Sequence, residues 1–152
     1  MKWGTKYGHE YVNRLYNSIK KHTNRATQLY CFTDNSNNID KDIICKPLPK
    51  IYLPETISFT PWRKMSLWQY PLYDIEGDVL FLDLDLVITG DLDRFFDFKP
   101  SFYCVIENWT QIGKNIGNTS CFRFPIGKYR SVFEQFQKNP KKYWEKFHIE
   151  QI

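Results

Sequence analysis

The amino-acid sequence predicts an α/β fold in which helices flank a largely parallel β-sheet. Short apolar runs alternate with segments whose apolar residues recur at helical spacing, and polar or proline-containing stretches separate them. The most apolar run, at residues 79–82, is unbroken rather than alternating, which is typical of a strand covered on both faces. A chain of 152 residues has the size of one domain, and we therefore predict a single domain over residues 1–152.

The first helix is predicted from the spacing of Val12, Leu15, Tyr16 and Ile19, which places these side chains on one buried face. Runs of apolar residues bounded by turn-forming residues predict strands, and Pro71 ends the helix that precedes it. The further predicted elements are, in chain order, strands at 28–32 and 43–48, a helix at 62–70, strands at 79–82, 102–106 and 121–124, and helices at 131–137 and 141–147.

The charge of the chain argues against a nucleic-acid-binding protein. The formal net charge is +4, and the lysines and arginines are scattered, whereas nucleic-acid-binding domains carry clustered basic surface. The densest basic stretch, at residues 138–146, contains Tyr143 and Trp144. We interpret it as a solvated helix face, with a peripheral membrane contact or an acidic partner as the alternative.

The sequence predicts a cytoplasmic protein. No apolar run approaches the roughly 20 residues of a membrane-spanning helix, and the residues after Met1 lack the apolar core of a signal peptide. The four cysteines lie far apart in apolar surroundings and form no C-x-x-C pair. We interpret them as buried, reduced thiols.

Three pairs of aspartates have the spacing D-x-D, and their surroundings suggest different roles. The first pair lies in a polar loop and is interpreted as turn chemistry. The last follows Gly90 and is interpreted as a helix start, where carboxylates favour the helix dipole. The middle pair follows directly on the apolar strand. The pairs are Asp40/Asp42, Asp83/Asp85 and Asp91/Asp93.

The position of Asp83 and Asp85 predicts a metal site. Ligands of open α/β sheets bind beyond the carboxyl ends of the strands. Residues two apart on extended backbone point to the same side, roughly 6.5 Å apart along the chain. Two such carboxylates repel each other and a diphosphate, and a bound Mg²⁺ or Mn²⁺ removes both problems. The alternative is a pair of turn-forming aspartates at a strand end.

The segment from Phe81 to Val87 also fits the pattern hhDxDx[TV] and so resembles haloacid-dehalogenase-like phosphatases. In that interpretation Asp83 is the nucleophile and Asp85 the general acid/base. The family carries the motif on its first strand, whereas two or three α/β units precede it here. Too little chain follows to supply the family's later lysine and acidic motifs.

A second resemblance covers nearly the whole chain. Its segments, in order, are residues 3–11 (WGTKYGHEY), 31–34 (CFTD), 62–65 (WRKM), 79–85 (VLFLDLD) and 117–120 (GNTS). Together they resemble glycosyltransferases of the GT-A fold, which is a Rossmann-like nucleotide-diphospho-sugar transferase fold. The nearest resemblance is to bacterial and viral relatives of glycosyltransferase family eight. The segment around Asp83 is its most specific part.

The resemblance implies a role for each matching residue. Asp85 would ligate the metal directly, Asp83 would reach the metal and the ribose, and Lys64 would face the donor. Asn118 would contact the donor sugar, and Gln151 would lie near the acceptor side, where Glu150 replaces the family's aspartate. The remaining donor-binding residues, which would line the base, the ribose and the metal-binding segment, are Trp3, Gly4, Thr5, Tyr7, Thr33, Asp34 and Leu84.

The implied activity is that of a hexosyltransferase-type enzyme that uses Mn²⁺ or Mg²⁺. Its donor would be a UDP- or GDP-sugar, and its acceptor an unknown glycan, lipid or protein. No catalytic base is identified, because His9, His22 and His148 are each interpreted as structural. The relatives continue into a segment that often supplies a histidine as third metal ligand, so we expect a GT-A-like domain truncated at its C-terminus. A non-catalytic binding module is the remaining alternative.

Overall fold

The structure is a computed structural model that describes residues 1–147, and it has an α/β architecture with helices and two small sheets. The α-helices are α1 (His9–Lys21), α2 (Asp93–Asp97), α3 (Arg130–Lys138) and α4 (Pro140–Phe147). The strands are β1 (Tyr30–Phe32), β2 (Ile44–Lys46), β3 (Asp78–Leu82), β4 (Cys104–Glu107) and β5 (Gly117–Pro125). Three 3₁₀ helices cover Glu55–Ile57, Pro61–Trp68 and Trp109–Gln111. The predicted α/β class is therefore confirmed.

The chain divides into two compact units. The first unit contains Met1–Leu48 and Gly77–Pro125, and the second contains Pro49–Glu76 and the residues from Ile126 onward. The sequence analysis did not anticipate this division, and the prediction of one domain over residues 1–152 stays a prediction. The first unit holds β1 to β5 and both aspartates of the predicted metal site.

Helix α1 forms as the periodicity predicts. Val12, Leu15 and Ile19 are buried, because their spacing places them on one face of the helix. The helix ends at Lys21 and is followed by His22, whose backbone N–H donates to the Ile19 carbonyl and whose Nδ1 lies 2.8 Å from the Ser18 carbonyl oxygen. The interpretation of His22 as a structural residue at a helix end is confirmed.

The smaller sheet is parallel, as predicted. Strands β1 and β2 pair with Cys31 opposite Cys45. An isolated parallel bridge between Lys2 and Thr33 adds the segment before α1, and the Lys2 N–H donates to the Phe32 carbonyl over 2.8 Å. Cys31 is buried and Cys45 half-buried, and all four cysteines are free thiols. This pairing brings residues 2–4 next to the end of β1.

The larger sheet is antiparallel, so the prediction of a largely parallel sheet is wrong here. The strand order is β3-β5-β4, and β5 runs antiparallel to both neighbours. In this described sheet β3 is an edge strand. Leu80 and Leu82 pack against the cluster around Leu15, while Phe81 stacks on Phe122 at 4.9 Å. An unbroken apolar run indicates that both faces of a strand are covered. It does not indicate whether the neighbouring strands are parallel or antiparallel.

The second unit has its own aromatic core. Trp62 stacks on Phe136 with ring centroids 5.2 Å apart, and Tyr143 and Trp144 pack against this cluster. The segment predicted as a helix at residues 62–70 is a 3₁₀ helix over Pro61–Trp68, and it ends before Pro71 as expected. The aromatic residues of α4 therefore pack against this core. The lysines of the same stretch, Lys138, Lys141, Lys142 and Lys146, are exposed, as expected for the solvated helix face predicted at residues 138–146.

Candidate functional site

Three strands of the antiparallel sheet begin or end on the same side, and this end of the sheet is called the sheet edge below. Leu82, the last residue of β3, lies opposite Cys121, and Glu107, the last residue of β4, lies opposite Gly117. The carboxyl ends of β3 and β4 and the amino end of β5 therefore share this edge. Asp83 and Asn118, which belong to different predicted motifs, are both at this edge, as expected for residues of one site.

Ser120 connects Asp83 with Asn118. The backbone N–H of Asp83 donates to the Ser120 carbonyl over 2.9 Å. The backbone N–H of Ser120 donates to Asn118 Oδ1, also over 2.9 Å. Asn118 is 8% exposed, and its side-chain oxygen is fixed by this bond. Two hydrogen bonds thus hold the aspartate and the asparagine of two sequence motifs against the same residue.

The chain turns directly after β3. Asp83 follows the strand, and the Leu86 N–H closes a turn on the Asp83 carbonyl over 3.5 Å. Leu84 and Asp85 lie within this turn, with Leu84 half-buried and Asp85 exposed. The prediction that extended backbone continues through Asp83 and Asp85 is therefore wrong, because the strand ends at Leu82. Turn geometry, not strand alternation, sets the direction of Asp85.

Tyr7 binds Asp85, although 78 residues separate them in sequence. The Tyr7 hydroxyl donates to Asp85 Oδ2 over 2.7 Å. This bond to a carboxylate raises the pKa of Tyr7 above its ordinary value of 10.0, since ionisation of the phenol would remove the donor. The structure therefore brings together a residue from the predicted nucleotide-binding segment and one from the predicted metal-binding pair.

Gly4 and Asp34 form a second contact between predicted site residues. The Gly4 N–H donates to Asp34 Oδ2 over 2.8 Å, and Gly4 has a φ of +63°, which a glycine adopts without steric cost. Thr33 is buried and its hydroxyl donates to the Asn35 carbonyl. Trp3 is half-buried beside this contact and Thr5 is exposed. Two predicted motifs, at residues 3–11 and 31–34, thus lie side by side.

Two further predicted site residues are Lys64 and Gln151. Lys64 is half-buried in the 3₁₀ helix Pro61–Trp68 of the second unit. Gln151, with Glu150 and His148, lies outside the described residues. Their proposed roles stay predictions.

The other two D-x-D pairs form local hydrogen bonds, one in a polar loop and one at a helix start, as predicted. The Asp42 N–H donates to Asp40 Oδ1 over 3.0 Å within a polar loop. Asp91 Oδ1 accepts from the Asp93 N–H over 2.9 Å at the start of α2. Asp93 accepts from Thr23 and Asn24, and its pKa is lowered mainly by the Thr23 hydroxyl.

The environment of Asp83 differs from that of an exposed strand end. The carboxylate is half-buried and lies close enough to Cys121 to affect its ionisation. Burial, and to a lesser degree the negative charge of Asp83, raises the pKa of the Cys121 thiol to about 11. A thiol with a raised pKa is neutral and poorly nucleophilic, so Cys121 contributes packing beside the aspartate and not a reactive sulfur.

The donor atoms of Asp83 and Asp85 suit a hard divalent cation. Carboxylate oxygens are the ligands that Mg²⁺ and Mn²⁺ prefer. Within residues 1–147 no three His, Cys, Asp or Glu side chains gather as a metal site. Mg²⁺ is commonly bound by one or two carboxylates together with the phosphates of a substrate, and a pair of aspartates at a strand end fits that type.

Glu107 and Ser120 are the residues of this edge that the sequence analysis did not single out. Glu107 ends β4 and its Oε1 accepts from the Gly113 N–H over 2.8 Å. The rule that placed Asp83 at a carboxyl strand end applies equally to Glu107, so that signal was present in the sequence. Ser120 acts through backbone atoms, which its residue type does not reveal.

Comparison with known proteins found no matching family model, no matching curated protein and no matching solved structure. Among the helices described within residues 1–147, none is long and apolar enough to cross a membrane.

Proposed function

We propose that this chain binds a nucleotide-diphosphate sugar through a divalent cation at Asp83 and Asp85 and transfers the sugar to an acceptor. The observation that carries the proposal is the convergence of separate motifs on one sheet edge. Tyr7 donates to Asp85, and Ser120 ties Asp83 to Asn118. α/β proteins place their ligands beyond the carboxyl ends of strands, and β3 and β4 both end on this side of the sheet.

Charge supports a cation-mediated site. Two carboxylates next to a diphosphate are electrostatically unfavourable unless a positive charge separates them. When bound, Mg²⁺ or Mn²⁺ would be held by Asp83 and Asp85 and would stabilise the negative charge that develops on the departing diphosphate.

The chain's own residues would orient the reactants. The Tyr7 hydroxyl fixes one oxygen of Asp85 and leaves its other oxygen available. The buried Asn118, whose carbonyl is held by Ser120, would present its amide N–H groups to donor hydroxyls. Overall, the acceptor oxygen bonds to the anomeric carbon, the bond from that carbon to the diphosphate breaks with its electron pair, and the acceptor proton is released.

The nucleotide would bind on the side of the Gly4–Asp34 contact. Gly4 and Asp34 are held together by a 2.8 Å hydrogen bond, which keeps the exposed segment after Trp3 beside the end of β1. Exposed polar groups next to a half-buried indole suit a base and a ribose, since the base stacks on the indole and the ribose hydroxyls donate hydrogen bonds to a carboxylate such as that of Asp34. UDP and GDP are the diphosphates to test first.

A thermal-shift panel tests the proposal. UDP, GDP and their sugar conjugates are each added to the protein with Mn²⁺ and with EDTA. We expect a Mn²⁺-dependent rise in Tm with at least one nucleotide, lost in Asp85→Asn and kept in Asp42→Asn. Asp42 is the matched control, because it belongs to a D-x-D pair of the same unit whose role is structural.

A different result would assign a different activity. Mg²⁺-dependent hydrolysis of p-nitrophenyl phosphate, with a covalent adduct trapped at Asp83, would replace the transferase by a phosphatase. An intact fold that responds to no nucleotide in Mn²⁺ would leave a non-catalytic binding module.

A further inference from the structure

The loop between β4 and β5, residues 108–116, is ordered by its own hydrogen bonds. Asn108 Oδ1 accepts from both the N–H and the hydroxyl of Thr110, and the Asn108 N–H donates to the Ile116 carbonyl over 2.8 Å. The Gly113 N–H donates to Glu107. Gly113 has a φ of +79°, a conformation that favours glycine. The 108–116 loop is therefore fixed at both ends and in its middle.

This ordered loop exposes large apolar side chains. Trp109 is 62% exposed, Ile112 74% and Ile116 43%. Single exposed apolar residues are ordinary on protein surfaces, whereas three on one short, hydrogen-bonded loop suggest a contact surface. Preorganised aromatic surface binds with little loss of conformational freedom.

The loop starts and ends at the edge that carries the proposed donor site. It follows Glu107, which lies opposite Gly117, and it precedes Asn118, which Ser120 ties to Asp83. A molecule that rests on the 108–116 loop is consequently next to the strand ends where the donor sugar is proposed to bind. This continuity separates Trp109 from the exposed aromatic residues elsewhere in the first unit.

We propose that the 108–116 loop is the acceptor subsite and that the acceptor presents a saccharide to it, with Trp109 as the stacking surface. This inference rests on the proposed function. Glu107 and Lys114 balance each other in charge, and the remaining polar side chains are neutral amides and a hydroxyl, namely Asn108, Thr110, Gln111 and Asn115. A sugar ring matches this chemistry, because its C–H face packs on an indole and its hydroxyls bond to amides.

The charge of the loop also separates a saccharide from other occupants. An anionic lipid surface is bound by clustered Lys and Arg, and Lys114 is the single cation among residues 107–117. A nucleic acid requires the same clustered positive charge. The neutral loop with an exposed indole is therefore better matched to an uncharged glycan than to either polyanion.

The test follows the Trp109 indole N–H resonance, assigned by its loss in Trp109→Phe, while saccharides are added to the protein with Mg²⁺ and UDP or GDP. The probes are the methyl glycosides of glucose, galactose, mannose and N-acetylglucosamine, together with lactose, maltose and chitobiose. We expect at least one probe to shift this resonance. Trp109→Ala should weaken the apparent affinity for that saccharide about tenfold or more, because the variant loses the aromatic surface that the bound sugar would cover.

The matched control is Phe102→Ala. Phe102 is 57% exposed and precedes the opposite end of β4, so its removal should leave saccharide affinity unchanged. Absence of any Trp109 shift with all probes would overturn the inference, as would Trp109-dependent binding to phosphatidylserine vesicles.

The proposed function is read out separately in the same samples. Nucleotide and metal binding without any saccharide response would remove the acceptor inference and leave the donor site. A Trp109-dependent saccharide response without nucleotide binding would keep the saccharide surface and remove the transferase.

Discussion

Two of the three D-x-D pairs of the first unit, Asp83/Asp85 and Asp91/Asp93, have the same spacing and different surroundings. The carboxylate of Asp93 stabilises the fold, since it interacts with Thr23, Asn24 and Arg25. Asp85 is exposed in a turn and accepts a hydrogen bond from Tyr7, a residue of another predicted motif. A carboxylate whose oxygens are satisfied by neighbouring donors stabilises the fold, whereas one left exposed at a strand end is available to a ligand. The D-x-D spacing alone therefore does not specify a role, and the partners of each carboxylate do.

The largest expected effect is the loss of nucleotide affinity when Asp85 is replaced. Asp85→Ala removes a proposed metal ligand and should weaken Mn²⁺-dependent nucleotide binding by about 100-fold or more, since losing even an outer partner of a metal ligand costs 10–100-fold. Isothermal titration calorimetry with and without Mn²⁺ measures this. The Tm of the free protein should stay close to that of the wild type, because Asp85 is exposed. Equal affinity in both proteins would remove the distinction between the two pairs.

Tyr7→Phe tests the orientation of Asp85, because this variant keeps the carboxylates of both Asp83 and Asp85. The variant loses the 2.7 Å hydrogen bond to Asp85, so Asp85 is less well oriented. We expect about tenfold weaker Mn²⁺-dependent nucleotide binding, with the thermal stability unchanged. Tyr11→Phe is the control, because Tyr11 packs edge-on against Tyr7 and lies on the same segment. Weaker binding in both variants would indicate a general effect of the segment and not of the Asp85 contact.

Asp93→Asn should show the opposite pattern. The substitution removes the charge that the Thr23 hydroxyl, the Asn24 N–H and Arg25 stabilise. We expect the Tm to fall by a few degrees while nucleotide affinity is unchanged, as measured by differential scanning fluorimetry and calorimetry. A change in affinity with no change in Tm would contradict the structural role assigned to this pair.

The smallest expected effect is the pH dependence of the stability that Asp93 contributes. The pKa of Asp93 is lowered below its ordinary value of 3.8 in the folded protein. The unfolded chain therefore takes up the proton first, so the stabilisation is present above that value and disappears as the pH falls through the folded-state pKa. The difference in Tm between wild type and Asp93→Asn should shrink on acidification below pH 4. A difference that is constant with pH would contradict this account.

Local patterns predicted the local features well. Helix α1 follows from the spacing of Val12, Leu15 and Ile19, and the structural roles of Asp40/Asp42 and Asp91/Asp93 follow from a polar loop and a helix start. Each of these depends on interactions within a few residues, which is the range that sequence periodicity and capping rules cover.

Long-range pairing was not predictable in the same way. The antiparallel pairing of β3 with β5 and the hydrogen bond from Tyr7 to Asp85 join segments that are distant in sequence. Arg123 on β5 is a further example, because its side chain is fully buried and its guanidinium donates to the carbonyls of Phe96, Lys99 and Phe102. Residue type alone would place an arginine at the surface, and only the tertiary arrangement of those carbonyls explains its burial.

Manganese itself provides the most direct test of the central claim, that Asp83 and Asp85 hold a divalent cation against a nucleotide diphosphate. Free Mn²⁺ in water gives a sharp six-line electron paramagnetic resonance signal that is lost when the ion is bound to a protein. We predict that UDP or GDP and the wild-type protein together remove this signal beyond what nucleotide alone removes, and that Asp85→Asn restores it. A signal that is the same with wild type, with Asp85→Asn and with nucleotide alone would contradict the account.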